Sequence, residues 1–224
     1  RQRRGGAVFV RESAPARMGG RFIAFEGGEG AGKSTQARML AAALEARGVA
    51  VALTREPGGT PGAEAIRGLL LSPPGEGWPS EAEALLFAAA RADHVARLIR
   101  PALARGDWVI CDRFVDSSRA YQGGAGGLGD AAITALHAFG SAGLRPDRVI
   151  LLEGDEAALG ERLAVRGAEA DAIEGRGLAY HRAVAAAFRA LAEGDPEGFA
   201  AVDALGTPEV VHARILAAVA DLLP

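Results

Sequence analysis

Gly27-Gly28-Glu29-Gly30-Ala31-Gly32-Lys33-Ser34 fits the pattern G-x-x-x-x-G-K-[ST], with Thr35 directly behind it. The short apolar run Phe22-Ile23-Ala24-Phe25 leads into it and ends at Glu26. An Ala/Leu/Arg-rich helical pattern from Thr35 to Arg47 leads away from it and is closed by Gly48 at a C′ position. Strand, glycine loop, helix is the context in which this pattern holds phosphate. The glycines let successive N–H groups converge on phosphate oxygens, and the helix adds its N-terminal donors and partial positive charge. Lys33 supplies a compact cation for the β/γ-phosphates, and Ser34 a hydroxyl for Mg²⁺. Of the 25 basic residues, 24 are arginine and one is lysine, and that lysine fills the slot where the loop needs it. The segment from Gly27 to Thr35 is therefore the expected ATP-binding loop.

Outward from this loop, strands and helices alternate. Val49 to Leu53 reads as a second strand, followed by the turn-rich Glu56-Pro57-Gly58-Gly59-Thr60-Pro61-Gly62 and a helix near Ala63 to Leu71. Ser80 to Arg105 is a long helical stretch, with Ser80 and Glu83 spaced as a capping box and Pro101 placed to kink or divide it. Trp108 to Cys111 and Val149 to Leu152 are strands three and four, and Phe199 to Val202 a weaker fifth. Asp155 to Arg166 and Leu178 to Ala192 are helical, and Thr207 caps a last helix. The alternation predicts an α/β fold of three layers: a P-loop NTPase with a five-stranded parallel sheet flanked by helices. Residues 1–18, arginine-rich and without a secretory pattern, are expected to be a flexible leader or an artificial remnant, and residues 19–224 a single P-loop domain.

Composition narrows the class. With 224 residues, 49% hydrophobic and 24% charged, the chain carries enough apolar material for one core. A net charge of −3 offers no general attraction for nucleic acid or anionic membrane, and no apolar run approaches the roughly 20 residues of a bilayer span. The single cysteine, Cys111, suits a reducing, cytoplasmic setting. A chain without asparagine cannot contain the N-K-x-D base-reading motif of switch GTPases, which leaves a kinase for a small acceptor as the leading class.

Such a kinase needs a second anion site in line with the γ-phosphoryl group. Three segments offer it: Thr54-Arg55-Glu56-Pro57-Gly58-Gly59-Thr60, Leu86-Phe87-Ala88-Ala89-Ala90-Arg91, and Cys111-Asp112-Arg113-Phe114 with the following Ser117-Ser118-Arg119-Ala120-Tyr121-Gln122-Gly123-Gly124. Ligand crevices of open α/β sheets lie beyond the C-terminal strand ends, which puts Arg55, Asp112 and Arg113 on the side of the phosphate loop.

In their order and context, TREPGGT, FAAARADH, DRF and SSRAYQGG resemble the thymidylate kinase family of the bacterial type, over essentially Arg21 to Pro224. The resemblance implies transfer of the γ-phosphoryl of ATP to dTMP, with Mg²⁺, in a homodimer. It implies that Phe87 stacks on thymine, that Arg91 reaches the base carbonyl, and that Arg55 and Arg113 hold the dTMP phosphate. It further implies that Tyr121 packs on the deoxyribose, Ser118 and Gln122 lie beside the base, Glu29 contacts the 3′-hydroxyl, and Asp112 organises Mg²⁺ with Ser34. A kinase for another nucleoside monophosphate or a deoxynucleoside, or a nucleotide-binding module without turnover, stays open on these residues.

The resemblance also implies a lid segment, from which catalytic charge beyond Lys33, Asp112 and Arg113 is expected. Some family members carry an arginine within the phosphate loop, where this chain has Gly30. Arg162 and Arg166, one helical turn apart, are the expected lid cations. The family commonly continues its lid with Asp-Arg, whereas Asp171 is followed here by Ala172; Arg176 is the candidate substitute. His94, His137, His181 and His212 lack metal-ligand spacing and read as surface or core residues.

Overall fold

The computed structural model describes residues 19–155, 159, 172–173 and 175–223. Five parallel strands form one sheet in the order β2-β3-β1-β4-β5. These are β1 (Phe22–Gly27), β2 (Val51–Arg55), β3 (Trp108–Asp112), β4 (Arg148–Glu153) and β5 (Phe199–Asp203). Every residue of β1 is buried, which fits its place at the centre of the sheet. β1 pairs β3 from Phe22 opposite Val109 to Phe25 opposite Asp112, and β4 from Ile23 opposite Arg148 to Gly27 opposite Leu152. The chain leaves β1 with a neighbour on each side, so the phosphate loop emerges where the crevice opens.

The two-residue period of the strands sorts the core. Ile23 and Phe25 face one layer, packing with Leu40 and Leu44 of α1 (Lys33–Glu45) and Ile215 of the last helix. Phe22 and Ala24 face the other, against Val95, Ile99 and Phe114. A third cluster joins Tyr121, Val149 and Leu151 to Val184 and Phe188. Burying a side chain of the size of Phe25 or Leu40 contributes roughly 2 kcal/mol, so these layers, and not helix propensity, fix the sheet's partners.

Helix α2 (Pro61–Leu71) starts as its residues dictate: Thr60 caps it by accepting from the Ala63 amide at 3.3 Å, and Pro61 fills the first turn, where no donor is required. The long helical stretch divides into α3 (Ser80–His94), a π-helical turn (Val95–Ile99) and α4 (Arg100–Arg105). The break comes before Pro101 because proline offers no N–H and crowds the preceding turn; the helix widens there, and the Arg100 amide reaches back to Val95 O. The Ser80–Glu83 capping box does not form: Pro79 is the N-cap residue, with no side-chain cap, and Glu83 turns inward to bind Gln122 and Arg176. Beyond β3 come α5 (Val115–Ser118), a second π-helical turn (Arg119–Ala125) and α6 (Asp130–Ser141). The sequence pattern predicts no helix there, since the five glycines from Gly123 to Gly129 interrupt the helical signal. Helices α7 (Leu178–Gly194) and α8 (Pro208–Ala218) complete the layers, α8 capped by Thr207 through the Val210 amide at 3.4 Å.

Candidate active site

The loop between β1 and α1 has the backbone its glycines were expected to supply. Gly27 takes φ 136°, and a Cβ there would lie 2.4 Å from the Leu152 carbonyl oxygen, so only glycine lets β1 turn away beside β4. Gly30 and Gly32 also have positive φ, and the loop folds round so that the buried Lys33 ammonium donates to Gly28 O at 2.7 Å. Burial, and then the nearby Arg113 charge, lower the Lys33 pKa, while Glu29, Asp112 and Glu26 oppose them. The Ser34 hydroxyl donates to Asp112 Oδ2 at the end of β3.

A cavity of about 440 Å³ opens in front of this loop, a size suited to a small molecule. Glu29, Gly30, Gly32, Lys33, Ser34 and Thr35 line one side. Arg55, Phe87, Asp112, Arg113, Ser118, Tyr121 and Gln122 line the other, so the structure gathers most of the residues singled out in the sequence around one space. Arg162 and Arg166 lie outside the described residues. Arg91 does not line the cavity; it is buried one layer behind, donating to Glu56 Oε2 at 2.7 Å and to Ser118 Oγ at 2.8 Å, both residues of the cavity wall. Arg176 does not turn toward the loop but bonds Glu83 and the Tyr180 hydroxyl and lies over the Tyr180 ring at 4.8 Å. Arg38, Arg67 and Ile173 also line the cavity and lie outside the segments singled out, while Glu56 lines it from within Thr54 to Thr60. The position of Arg38, one turn beyond Ser34 on α1, is the signal that could have found it.

Arg113 is the junction of the two sides. Its backbone sits at φ 70°, a left-handed conformation that costs a non-glycine residue roughly 1 kcal/mol or more. From there its guanidinium donates to Gly27 O at 3.3 Å, Ser117 Oγ at 3.0 Å, the Tyr121 hydroxyl at 3.3 Å, and Glu29. The Tyr121 hydroxyl donates in turn to Glu29 Oε1 at 3.2 Å. Burial alone would raise the Glu29 pKa, but the charges of Arg113 and Lys33 overcome it and bring it down to about 2. Burial, the largest single influence, disfavours the Arg113 cation, yet Glu29, Tyr121, Asp112 and Glu26 together outweigh it and raise that pKa. Arg55, by contrast, sits at the rim, 54% exposed, paired with Glu64 at 3.1 and 3.2 Å. Exposed pairs of this kind contribute about 1 kcal/mol or less, so Arg55 can be recruited by an anionic ligand at little cost.

Behind Arg113, the fully buried Glu26 fastens the turn after β3. Its Oε1 accepts from the Phe114 amide at 2.8 Å and the Ser117 amide at 3.1 Å, and its Oε2 from the Ser117 hydroxyl at 2.6 Å. Burial first, and then the Asp116 charge, raise its pKa from an ordinary 4.5 to about 7. The folded chain thus holds a proton there that the unfolded chain releases, and stability from this group is fully present below about 4.5 and is lost as pH rises through about 7. Glu26→Gln is expected to remove that dependence, by at most about 3 kcal/mol across the window. Urea unfolding of both proteins over this pH range measures it, and a constant difference between the two curves would show that Glu26 titrates alike in folded and unfolded chains.

The oxygen donors Ser34 and Asp112, side by side at the loop, fit a hard divalent cation such as Mg²⁺, which keeps much of its shell as water and phosphate oxygen. Among the described residues no cluster of three His, Cys, Asp or Glu side chains forms a self-sufficient metal cage.

Known proteins point the same way. A family model described as thymidylate kinase matches residues 25–215. A thymidylate kinase of Rhizorhabdus wittichii is 59% identical over 208 residues, covering 92% of this chain and 100% of its own. One from Bradyrhizobium sp. (strain BTAi1) is 48% identical over 206 residues, 91% of each chain. The crystal structure of thymidylate kinase from Ehrlichia chaffeensis superposes with a TM-score of 0.72 at 32% identity, over 90% of this chain and 99% of that one.

Proposed function

This chain belongs to the thymidylate kinase family and is a phosphotransferase acting on dTMP, and we propose how its residues divide that work with ATP and Mg²⁺. The observation that carries the reading is that the phosphate loop and a wall made of Phe87, Arg113 and Tyr121 face each other across one cavity.

In this reading the amides from Gly27 to Thr35, with Lys33, bind the tail of ATP. Ser34 and Asp112 would hold Mg²⁺, which would supply charge neutralisation to the phosphates. Arg55 and Arg113 fix the dTMP phosphate, their planar forks matched to its oxygens. Phe87 stacks on the base, Ser118 with Arg91 behind it faces the base carbonyl, and Gln122 lies beside them. Tyr121 packs on the deoxyribose, and Glu29, held as a carboxylate, accepts from the 3′-hydroxyl. An oxygen of the dTMP phosphate attacks the γ-phosphorus, the bond to the bridging oxygen breaks, and ADP departs. Little covalent help is needed, so positioning and charge stabilisation carry the rate. Arg162 and Arg166 supply further cations from the lid.

A homodimer is supported by large apolar side chains exposed on two helices that pack together: Phe139 of α6 is 93% exposed and Leu85 of α3 56%. The lone thiol of Cys111 goes with a cytoplasmic setting; no helix among the described residues is long and apolar enough to cross a membrane. A coupled ADP-release assay with dTMP, dUMP, AMP, GMP and CMP tests the function. dTMP should stimulate most strongly, and light scattering on the same sample should give twice the chain mass. Stimulation by no acceptor would overturn the reading.

A further inference from the structure

The TREPGGT segment contributes more than Arg55. Thr54, Glu56 and Gly59 meet His94 of α3 inside the protein, where His94 is fully buried. His94 Nδ1 stands 3.0 Å from Glu56 Oε1, and Nε2 stands 2.7 Å from the Thr54 hydroxyl. The other oxygen of Glu56 accepts from Arg91 Nε at 2.7 Å. Arg91 Nη2 then donates to Phe114 O at 3.3 Å and to Ser118 Oγ at 2.8 Å. Gly59 makes this possible: a Cβ there would lie 2.4 Å from Thr54 Oγ1 and 2.7 Å from His94 Nε2.

The direction of each hydrogen bond follows from what each group can do. A carboxylate only accepts, so Nδ1 must carry a proton toward Glu56. In the neutral ring Nε2 then accepts, and the Thr54 hydroxyl is its donor. Arginine only donates, so Ser118 Oγ is an acceptor toward Arg91 and its own proton is left to point elsewhere. Ser118 lines the cavity, so that proton is available to a ligand.

We propose that His94 is a positioning residue for acceptor selection: through Glu56 it holds Arg91, and through Arg91 it makes Ser118 a hydrogen-bond donor into the cavity. A wall that donates accepts a carbonyl at C4 of a pyrimidine and leaves an exocyclic amino group facing donors. Thymine and uracil nucleotides fit it, and cytosine nucleotides do not. This rests on the pyrimidine-monophosphate reading above.

Asparagine can place its amide nitrogen where Nδ1 lies, and glutamine places its own nearer Nε2, so the two variants separate hydrogen bonding from packing. With His94→Gln, KM for dTMP should rise about tenfold with kcat within about threefold, and the preference for dTMP over dCMP should shrink about tenfold; His94→Asn should keep both within about threefold. Equal effects of the two variants, or none, would overturn the proposal. Nitrogen-15 NMR of the wild-type protein, with the His94 signal assigned by its loss in His94→Asn, or by its shift in Thr54→Val if the former does not fold, gives a readout free of activity. A proton on Nδ1 supports the proposal, and a ring protonated only on Nε2 sinks it. If dTMP fails to stimulate the wild-type enzyme, the acceptor reading falls, while the spectrum still judges the position of the proton.

Discussion

Lys33→Ala is expected to lower kcat by about a thousandfold, a loss of roughly 4 kcal/mol of transition-state stabilisation, while the folded state survives. Lys33 is the chain's single lysine, its ammonium is buried, and its hydrogen bond to Gly28 O keeps it folded back over the loop that lines the cavity. Phosphoryl transfer gathers charge on the oxygens of the moving group, and a desolvated cation already in place needs no reorganisation to meet it. Structural loss should be small, because Glu29 keeps Arg113 as its partner and Asp112 keeps Ser34. Lys33→Arg separates charge from shape: the guanidinium is larger than the buried slot and cannot reproduce the short turn back to Gly28, so turnover should stay at least about a hundredfold down. Single-turnover assays with dTMP, alongside thermal melts, measure both. A kcat for Lys33→Ala within tenfold of wild type would remove Lys33 from the chemistry.

The parts of this site that the sequence displays are those whose geometry is local. The loop from Gly27 to Ser34 is legible because its glycines, lysine and hydroxyl sit at fixed spacing between a strand and a helix, and the cavity forms there. Arg55, Asp112 and Arg113 are legible for a topological reason, since parallel strands end on one side of the sheet. What stays hidden depends on partners far along the chain. Glu26 reads as a strand end, yet its bonds go to Phe114 and Ser117, about ninety residues on. Glu83 reads as half of a capping box, because nothing near it announces Gln122 or Arg176. His94 reads as an unremarkable helix residue until β2 brings Thr54 and Glu56 against it. Arg91 is legible as a site residue, but its place behind Ser118 and not in the cavity wall follows from Glu56, which claims its Nε. Helix α6 is hidden for the opposite reason: the glycines before it obscure a local signal that Asp130 begins.

Arg113→Ala should be the most damaging change on the acceptor side, lowering kcat/KM for dTMP by about 10³-fold, with Arg113→Lys recovering little of it. An ammonium cannot span Gly27 O, Ser117 Oγ, Glu29 and the Tyr121 hydroxyl at once, as the guanidinium does. Two effects are mixed in this loss. Removing Arg113 takes away the strongest partner of Glu29, a carboxylate whose pKa of about 2 depends chiefly on that charge, with Lys33 and the Tyr121 hydroxyl left to it, so the variant should also lose roughly 2–3 kcal/mol of stability. The double variant Glu29→Gln/Arg113→Ala has no carboxylate short of that partner and should regain most of that stability. Turnover should not return with it, because the fork that meets the acceptor phosphate is still missing. Urea unfolding and kcat/KM for the two single variants and the double variant form a complete cycle that separates the two roles. If activity recovered in step with stability, Arg113 would be a structural partner of Glu29 and the acceptor phosphate would have to be held by Arg55 and its neighbours at the rim.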